Sequence, residues 1–217
     1  MNLILKNNRL LLLVYLILAS VGLVLLLIYP KTSSFLAISS FHNEVLNYLF
    51  RFFSMLGNGF FTIILIALLS LWRIRVSIYL LLSYAASGIL VQFLKRIVFN
   101  ESYRPIKFFA EQGVDIYKVP GFDNYLIYSF PSGHTTSAFV VFIGIALLIN
   151  NSFVKILMLL LAIMVGYSRI YLSQHFPEDV LAGSLVGLSS ALIFYFWSNK
   201  WQKSWLDKSV VQLFSKK

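Results

Sequence analysis

Polar side chains suited to chemistry collect in four short stretches of this 217-residue sequence, each at the end of an apolar run. The stretches are Lys95-Arg96, the tetrapeptide Pro131-Ser132-Gly133-His134, the dipeptide Ser168-Arg169, and the pair His175 and Asp179. Polar residues at membrane depth are costly and usually functional. If the apolar runs are alternating membrane spans, all four stretches lie on one membrane face. The sequence therefore predicts a single site built from distant segments.

Two histidines in these stretches have the types and spacing needed for acid–base and nucleophilic chemistry. His175 and Asp179 are four residues apart, which on a helix places them on the same face. A carboxylate bonded to one imidazole nitrogen fixes the tautomer and leaves the other nitrogen as a nucleophile. His134 supplies a second imidazole that is able to protonate a leaving oxygen.

The remaining residues of the stretches are typical of anion binding. Arginine and lysine bind phosphate or carboxylate oxygens, and arginine does so through two parallel hydrogen bonds. Ser132 and Gly133 stand at the start of an apolar run, where a helix N-terminus offers free N–H groups to an anion. Phosphoryl transfer is the reaction that needs this combination, because it depends on positioning and on charge stabilisation.

The composition identifies the setting as a membrane. Hydrophobic residues make up 59% of the chain and charged residues only 12%, whereas soluble domains average roughly 45–50% and about 25%. The net charge is +10, but the basic residues are too thinly spread to form a nucleic-acid groove, so no nucleic-acid partner is expected. The absence of cysteine excludes disulfides, thiolate metal sites and cysteine nucleophiles.

Apolar runs of about 20 residues, enough to cross a bilayer as helices, predict an all-α bundle of six transmembrane helices. The expected spans are Leu10–Tyr29, Leu56–Trp72 (within the charge-free stretch Phe52–Trp72), Val76–Leu94, Thr135–Phe153, Ile156–Leu172 and Val180–Asn199. Between the first two, Ser33–Arg51 mixes apolar and polar residues. This pattern indicates an amphipathic helix in the membrane interface, or alternatively a buried cap over other helices. The chain is expected to be one domain, residues 1–217, with its motifs in residues 95–179.

An even number of spans places both termini on one side, and the positive-inside rule makes that side cytoplasmic. Ten basic residues fall there: Lys6, Arg9, Arg73, Arg75, Lys155, Lys200, Lys203, Lys208, Lys216 and Lys217. Eight fall on the opposite side: Lys31, Arg51, Lys95, Arg96, Arg104, Lys107, Lys118 and Arg169. An excess of ten basic residues over eight is a small bias towards this orientation. The bias is larger if several of the eight bind a ligand, because those residues then do not count as loop charges. The expected location is a bacterial inner membrane, with the site facing the periplasm or exterior.

At these residues the chain resembles the type 2 phosphatidic acid phosphatase superfamily, whose motifs are K-x6-R-P, P-S-G-H and S-R-x5-H-x3-D. The second motif is present at 131–134, and the third begins at Ser168 with every spacing kept. The first motif departs from the pattern, because Ile97 stands seven residues before Arg104. Lys95 and Arg96 precede Arg104 by nine and eight residues. Three alternatives stay open. Lys95 reaches the site from a shifted helix position, Arg96 replaces it, or neither residue contacts phosphate.

The resemblance implies a metal-independent acid phosphatase fold, so neither a metal nor a cofactor is expected. By analogy with the family, the third-motif histidine attacks phosphorus to form a phosphohistidine, an aspartate orients it, and the second-motif histidine protonates the leaving group. Those residues here are His175, Asp179 and His134. Phosphate would be held by Arg104, Arg169, Ser132, Gly133 and Lys95.

The expected substrate is a lipid phosphate or diphosphate, which presents its phosphate at the depth of the predicted site. Undecaprenyl diphosphate, phosphatidylglycerol phosphate, phosphatidic acid and the phosphates of lipid A are all candidates, and no protein partner is indicated. A lipid phosphotransferase with the same site is an alternative. A non-enzymatic anion-lipid transporter is another, since basic residues and helix N-termini also serve transport.

Overall fold

A computed structural model describes residues 6–215 of the chain, which are helical apart from their connections. Lys216 and Lys217, predicted to be cytoplasmic, lie outside the described residues. Within 6–215 the only β pairing is an isolated antiparallel bridge between Tyr103 and Ile127. The predicted all-α class is thus confirmed.

Ten helices follow one another along the described residues, two of them containing a π-helical turn. They are α1 Arg9–Ile28, α2 Lys31–Ile38, α3 Glu44–Leu56, α4 Gly59–Leu69, α5 Ile74–Val98, α6 Pro105–Ala110, α7 Gly133–Leu148, α8 Ser152–Tyr171, α9 Pro177–Ser198 and α10 Val210–Phe214, with a short 3₁₀ turn at Ser204–Asp207. The π turns are Leu94–Val98 at the end of α5 and Phe139–Ile143 inside α7.

Four of these helices, α1, α5, α8 and α9, are long and apolar enough to cross a membrane. Helices α3 and α4 meet at 55° and add a fifth crossing if the bent pair is one span. Helix α7 is apolar but shorter than the others. The described residues therefore contain four to five candidate spans, and the predicted number of six is not confirmed.

The expected amphipathic helix over Ser33–Arg51 is divided into two helices, because the chain leaves helical geometry between α2 and α3. Asn43 restarts the helix by accepting a hydrogen bond from the Leu46 N–H at 2.8 Å. One face of α3 then packs on α8, where the rings of Phe50 and Tyr171 lie 4.4 Å apart. This contact buries part of α3 against α8, and the predicted interfacial helix is not confirmed.

Helix α7 is the centre of the bundle, since almost every side chain from Thr135 to Leu147 is buried. Two glycines of α9 allow its close approach. A Cβ added to Gly183 would lie 2.6 Å from the Ser132 carbonyl oxygen, and one added to Gly187 would lie 2.6 Å from the Thr136 carbonyl oxygen. Both glycines thus serve close helix packing, and the contact brings the start of α7 next to the start of α9.

Replacing Gly187 by valine is expected to destabilise the protein by about 1–3 kcal/mol, because the added methyl groups overpack the contact between α7 and α9. Thermal unfolding in detergent would show a lower Tm. The matched control is Gly22→Ala in α1, since a Cβ at Gly22 meets nothing within 4 Å. An equal Tm for the two variants would contradict the packing role.

Candidate active site

The turn between α8 and α9 brings His175 and Asp179 together. The chain reverses at Ser173, which has a positive φ of 55°, and α9 begins at Pro177, a favoured first residue of a helix. His175 precedes α9, so the expectation that one helix face carries both residues is wrong in detail. The contact nevertheless forms, with 3.2 Å between His175 Nδ1 and Asp179 Oδ2. Because Nδ1 is engaged, Nε2 is the nitrogen available to a substrate.

Two further donors hold the Asp179 carboxylate. The Phe176 N–H donates to Oδ2 at 2.9 Å and the Ser129 hydroxyl donates to the same oxygen at 2.5 Å. Ser129 is 1% exposed, and its oxygen is also 3.5 Å from His175 Nδ1. Sequence reasoning did not single out Ser129, because a serine in a loop two residues before the P-S-G-H motif carries no signal by itself.

His175 lines a cavity of about 410 Å³, a volume in the range of small-ligand pockets. The lining consists of Gln92, Lys95, Arg96, Arg104, Tyr125, Leu126, Ile127, Tyr128, Gly133, His134 and His175. Five of the eight predicted site residues are thus around one cavity: Lys95, Arg104, Gly133, His134 and His175. They come from α5, the connection before α6, the start of α7 and the turn before α9.

The π turn at the end of α5 decides which first-motif residue faces inward. A π turn adds a residue to a helical turn and so redirects the side chains that follow. Lys95 is 7% exposed, and its ammonium group donates to the Tyr128 carbonyl at 2.5 Å and the Ser129 carbonyl at 3.3 Å. Arg96 is exposed and lies at the rim. Of the alternatives left open by the motif spacing, the geometry favours Lys95 at a shifted helix position.

Arg104 is held at the cavity by three hydrogen bonds. Its Nη1 donates to the carbonyl and side-chain oxygens of Gln174 at 3.3 and 3.2 Å, and its Nε donates to the Ile127 carbonyl at 3.0 Å. These contacts fix the guanidinium at the cavity that His175 also lines. Gln174 is a second functional residue that sequence reasoning missed, since it occupies a variable position of the S-R-x5-H motif.

Ser132 and Arg169 do not line the cavity. The Ser132 oxygen caps α7, accepting from the Thr135 N–H at 3.4 Å and the Thr135 hydroxyl at 2.9 Å. Arg169 is 2% exposed and donates to the Ser54 hydroxyl of α3. Direct contact of Ser132 and Arg169 with phosphate stays a prediction. In this geometry Ser132 caps the helix that begins with Gly133 and His134.

The surroundings of His175 keep its imidazole neutral. Burial is the main cause of a His175 pKa well below its ordinary value, and the positive charges of Arg104, Lys95 and Arg169 lower it further. Neutral imidazole is the form required of a nucleophile. The cations that lower the pKa are also those placed to attract an anionic substrate.

The sequence pattern of the PAP2 superfamily matches residues 76–203. Because this match covers more than half of the chain, the chain belongs to the PAP2 superfamily. The resemblance inferred from the motifs is confirmed.

Two curated relatives and one solved structure illustrate the similarity. Lipid A 4'-phosphatase of Bacteroides thetaiotaomicron is 33% identical over 34% of this chain and 32% of its own length. Undecaprenyl-diphosphatase BcrC of Bacillus subtilis is 34% identical over 33% of this chain and 36% of its own length. The chain therefore spans about a third of the length of the curated relatives that it matches first.

The similarity of fold extends over more of the chain. The crystal structure of the first transmembrane PAP2-type phosphatidylglycerolphosphate phosphatase from Bacillus subtilis aligns with a TM-score of 0.66. It is 24% identical, and the alignment covers 92% of this chain and 99% of that chain. At this identity the match shows a shared fold.

Replacing Ser129 by alanine is expected to lower kcat about 10- to 100-fold with little change in KM, because the Asp179 carboxylate loses a charge-assisted hydrogen bond. Ser129→Thr, which keeps the hydroxyl, should retain more activity. Ser190→Ala is the matched control, since that buried serine bonds the Ser83 carbonyl outside the site. Equal kcat for Ser129→Ala and Ser190→Ala would contradict this role.

The lowered pKa of His175 predicts activity that persists into acid. As pH falls, the nucleophile is lost only when His175 takes a proton, and its pKa lies well below the usual value of about 6.5. The acid limb of kcat/KM should therefore lie below pH 6.5, after correction for the substrate phosphate titrated separately by ³¹P NMR. An acid limb at or above that pH would speak against a buried, neutral His175.

Proposed function

We propose that this protein is an integral-membrane phosphatase that hydrolyses a lipid phosphate or diphosphate through a phosphohistidine intermediate. One observation carries the proposal. His175 has Nδ1 bound by Asp179 and Nε2 available in a cavity that also holds His134, the buried Lys95 and the half-buried Arg104. An anion-binding protein needs the cations, but it has no need of a nucleophile with an orienting carboxylate.

The proposed reaction has two halves. In the first, His175 Nε2 attacks phosphorus, the bond from phosphorus to the leaving oxygen breaks, and His134 gives that oxygen a proton. Asp179 stabilises the positive charge that develops on the imidazole. In the second half, a water molecule gives a proton to His134 while its oxygen attacks phosphorus. The phosphorus–nitrogen bond breaks, which releases inorganic phosphate and restores neutral His175. Lys95 and Arg104 stabilise the phosphoryl oxygens in both halves.

The charge of the cavity supports a reaction without a divalent cation. Its lining carries the cations Lys95, Arg96 and Arg104 and no carboxylate. Such a lining repels Mg²⁺ or Zn²⁺, and the charge stabilisation that a metal supplies in other phosphatases is available from these side chains.

We propose six membrane crossings: α1, the bent pair α3–α4, α5, α7, α8 and α9. In this arrangement the end of α5, the start of α7, the end of α8 and the start of α9 share one face, as the cavity requires. The termini would then be cytoplasmic under the positive-inside rule and the cavity would open at the outer face of a bacterial inner membrane. Lipid headgroups lie at that depth.

The relatives named above act on different lipids, so the proposal extends to the substrate class and not to one lipid. Lipid A phosphate, undecaprenyl diphosphate, phosphatidylglycerol phosphate and phosphatidic acid all combine a phosphate with long apolar chains. Transfer of the phosphoryl group to a lipid alcohol instead of water is the second candidate, because the same phosphohistidine serves both. Product analysis with an added acceptor lipid separates the two reactions.

The purified protein is expected to release phosphate from lipid phosphates in EDTA, and His175→Ala is expected to lower kcat by about a thousandfold or more. Rapid quenching with ³²P-labelled substrate should trap label on His175 as an acid-labile, alkali-stable phosphoramidate. His42→Gln is the matched control, since His42 stacks on Tyr117 at 4.1 Å outside the cavity. Full activity of His175→Ala, or an inert wild type across these lipids, would overturn the proposal.

A further inference from the structure

We propose that Arg96 forms an outer phosphate subsite that makes this enzyme selective for lipid diphosphates over lipid monophosphates. The inference rests on the proposed phosphatase function and names the substrate class within it. In this assignment the terminal phosphate lies against His175, and the phosphate attached to the lipid lies against Arg96.

The position of Arg96 between two cavities is the first support. Arg96 and Gln92 line the catalytic cavity, and both also line a shallow, open and mostly apolar groove along the outer side of α5. That groove is formed by Tyr84, Ala85, Gly88, Ile89, Phe93 and Ile97 together with these two residues. The guanidinium therefore lies where the polar cavity meets a surface suited to a lipid chain.

The order of burial is the second support. His175 is 1% exposed and Lys95 is 7% exposed, whereas Arg96 is exposed at the rim. A phosphate placed for attack by His175 thus lies deeper than Arg96. The next group along a substrate that leaves towards the groove reaches the Arg96 guanidinium.

The charge of the lining is the third support. Three cations, Lys95, Arg96 and Arg104, face a cavity whose lining has no carboxylate. A phosphate monoester carries about −1.5 to −2 at pH 7, which the two inner cations balance. A diphosphate ester has an additional ionised oxygen on its inner phosphate, and this charge matches the third cation.

The free donors of Arg96 are the fourth support. The ammonium group of Lys95 and the guanidinium of Arg104 are already bonded to protein oxygens. Arg96 makes a hydrogen bond to protein only through Nε, which donates to the Gln92 side-chain oxygen at 3.2 Å. Within residues 6–215 its two terminal nitrogens have no hydrogen-bond partner and no carboxylate within ion-pair distance. Two parallel N–H donors are the geometry that binds phosphate oxygens.

The test compares two substrates with the same apolar chain, farnesyl diphosphate and farnesyl monophosphate, in one detergent. Wild type should have the higher kcat/KM for the diphosphate. In Arg96→Ala the ratio of the two kcat/KM values should fall about 10- to 100-fold, the effect of losing a charged hydrogen bond. Arg96→Lys keeps the charge but not the paired donors, so its ratio should fall less. The control is Lys107→Ala, because Lys107 pairs with Glu111 at 3.8 Å and lies outside the cavity lining.

A basic residue at a helix end is also a common interfacial anchor, with its charge extended towards headgroups. An anchor affects both substrates alike, so an unchanged ratio in Arg96→Ala would overturn the subsite. A wild type that prefers the monophosphate would overturn it too, while the phosphatase function stood. A wild type inert towards both lipids would contradict the phosphatase function itself. Thermal unfolding identifies a misfolded Arg96→Ala, in which case Arg96→Gln carries the comparison.

Discussion

The carboxylate of Asp179 is the point on which the site depends. A buried carboxylate is costly unless its oxygens are bonded. Here three groups contact Oδ2: the His175 imidazole, the Phe176 N–H and the Ser129 hydroxyl. Within residues 6–215 the other oxygen, Oδ1, has no hydrogen-bond partner, so the carboxylate is held through Oδ2 alone. The Asp179 backbone carbonyl also accepts a bond from the Ser132 N–H at 2.9 Å. One residue thus joins the end of the α8–α9 turn, the loop before α7 and the first turn of α9.

The glycine contact between α7 and α9 makes this arrangement possible. At Gly183 and Gly187 the backbone of α7 approaches α9 to a distance that excludes a Cβ. Close packing of this kind is how helices associate where apolar surroundings give little driving force. It keeps His134 and His175 on the same cavity, so the packing of the bundle sets the spacing of the proposed acid and nucleophile.

The cations around the cavity differ in their hydrogen-bond partners and burial, and this difference is consistent with separate roles in catalysis and in substrate recognition. Lys95 is buried and Arg104 is half-buried, and both are bonded to carbonyl oxygens, which fixes them without cancelling their charge. Arg96 is adjacent to Lys95 in sequence, yet it lies at the rim towards the lipid. A rigid inner pair suits a phosphoryl group in reaction, and an adaptable outer cation suits the recognition of what that group is attached to.

The membrane setting, the helical class and the grouping of His134, His175 and Asp179 can be predicted from the sequence, because apolar length and short motif spacings are properties of neighbouring residues. The inward direction of Lys95, in place of Arg96, emerges only in the folded chain, since a π turn alters side-chain direction without a signal in residue type. The same holds for the bond from Ser129 to Asp179, for the capping of α7 by Ser132 and for the new helix start at Asn43. These outcomes depend on hydrogen bonds and packing between segments distant along the chain, which no local pattern encodes.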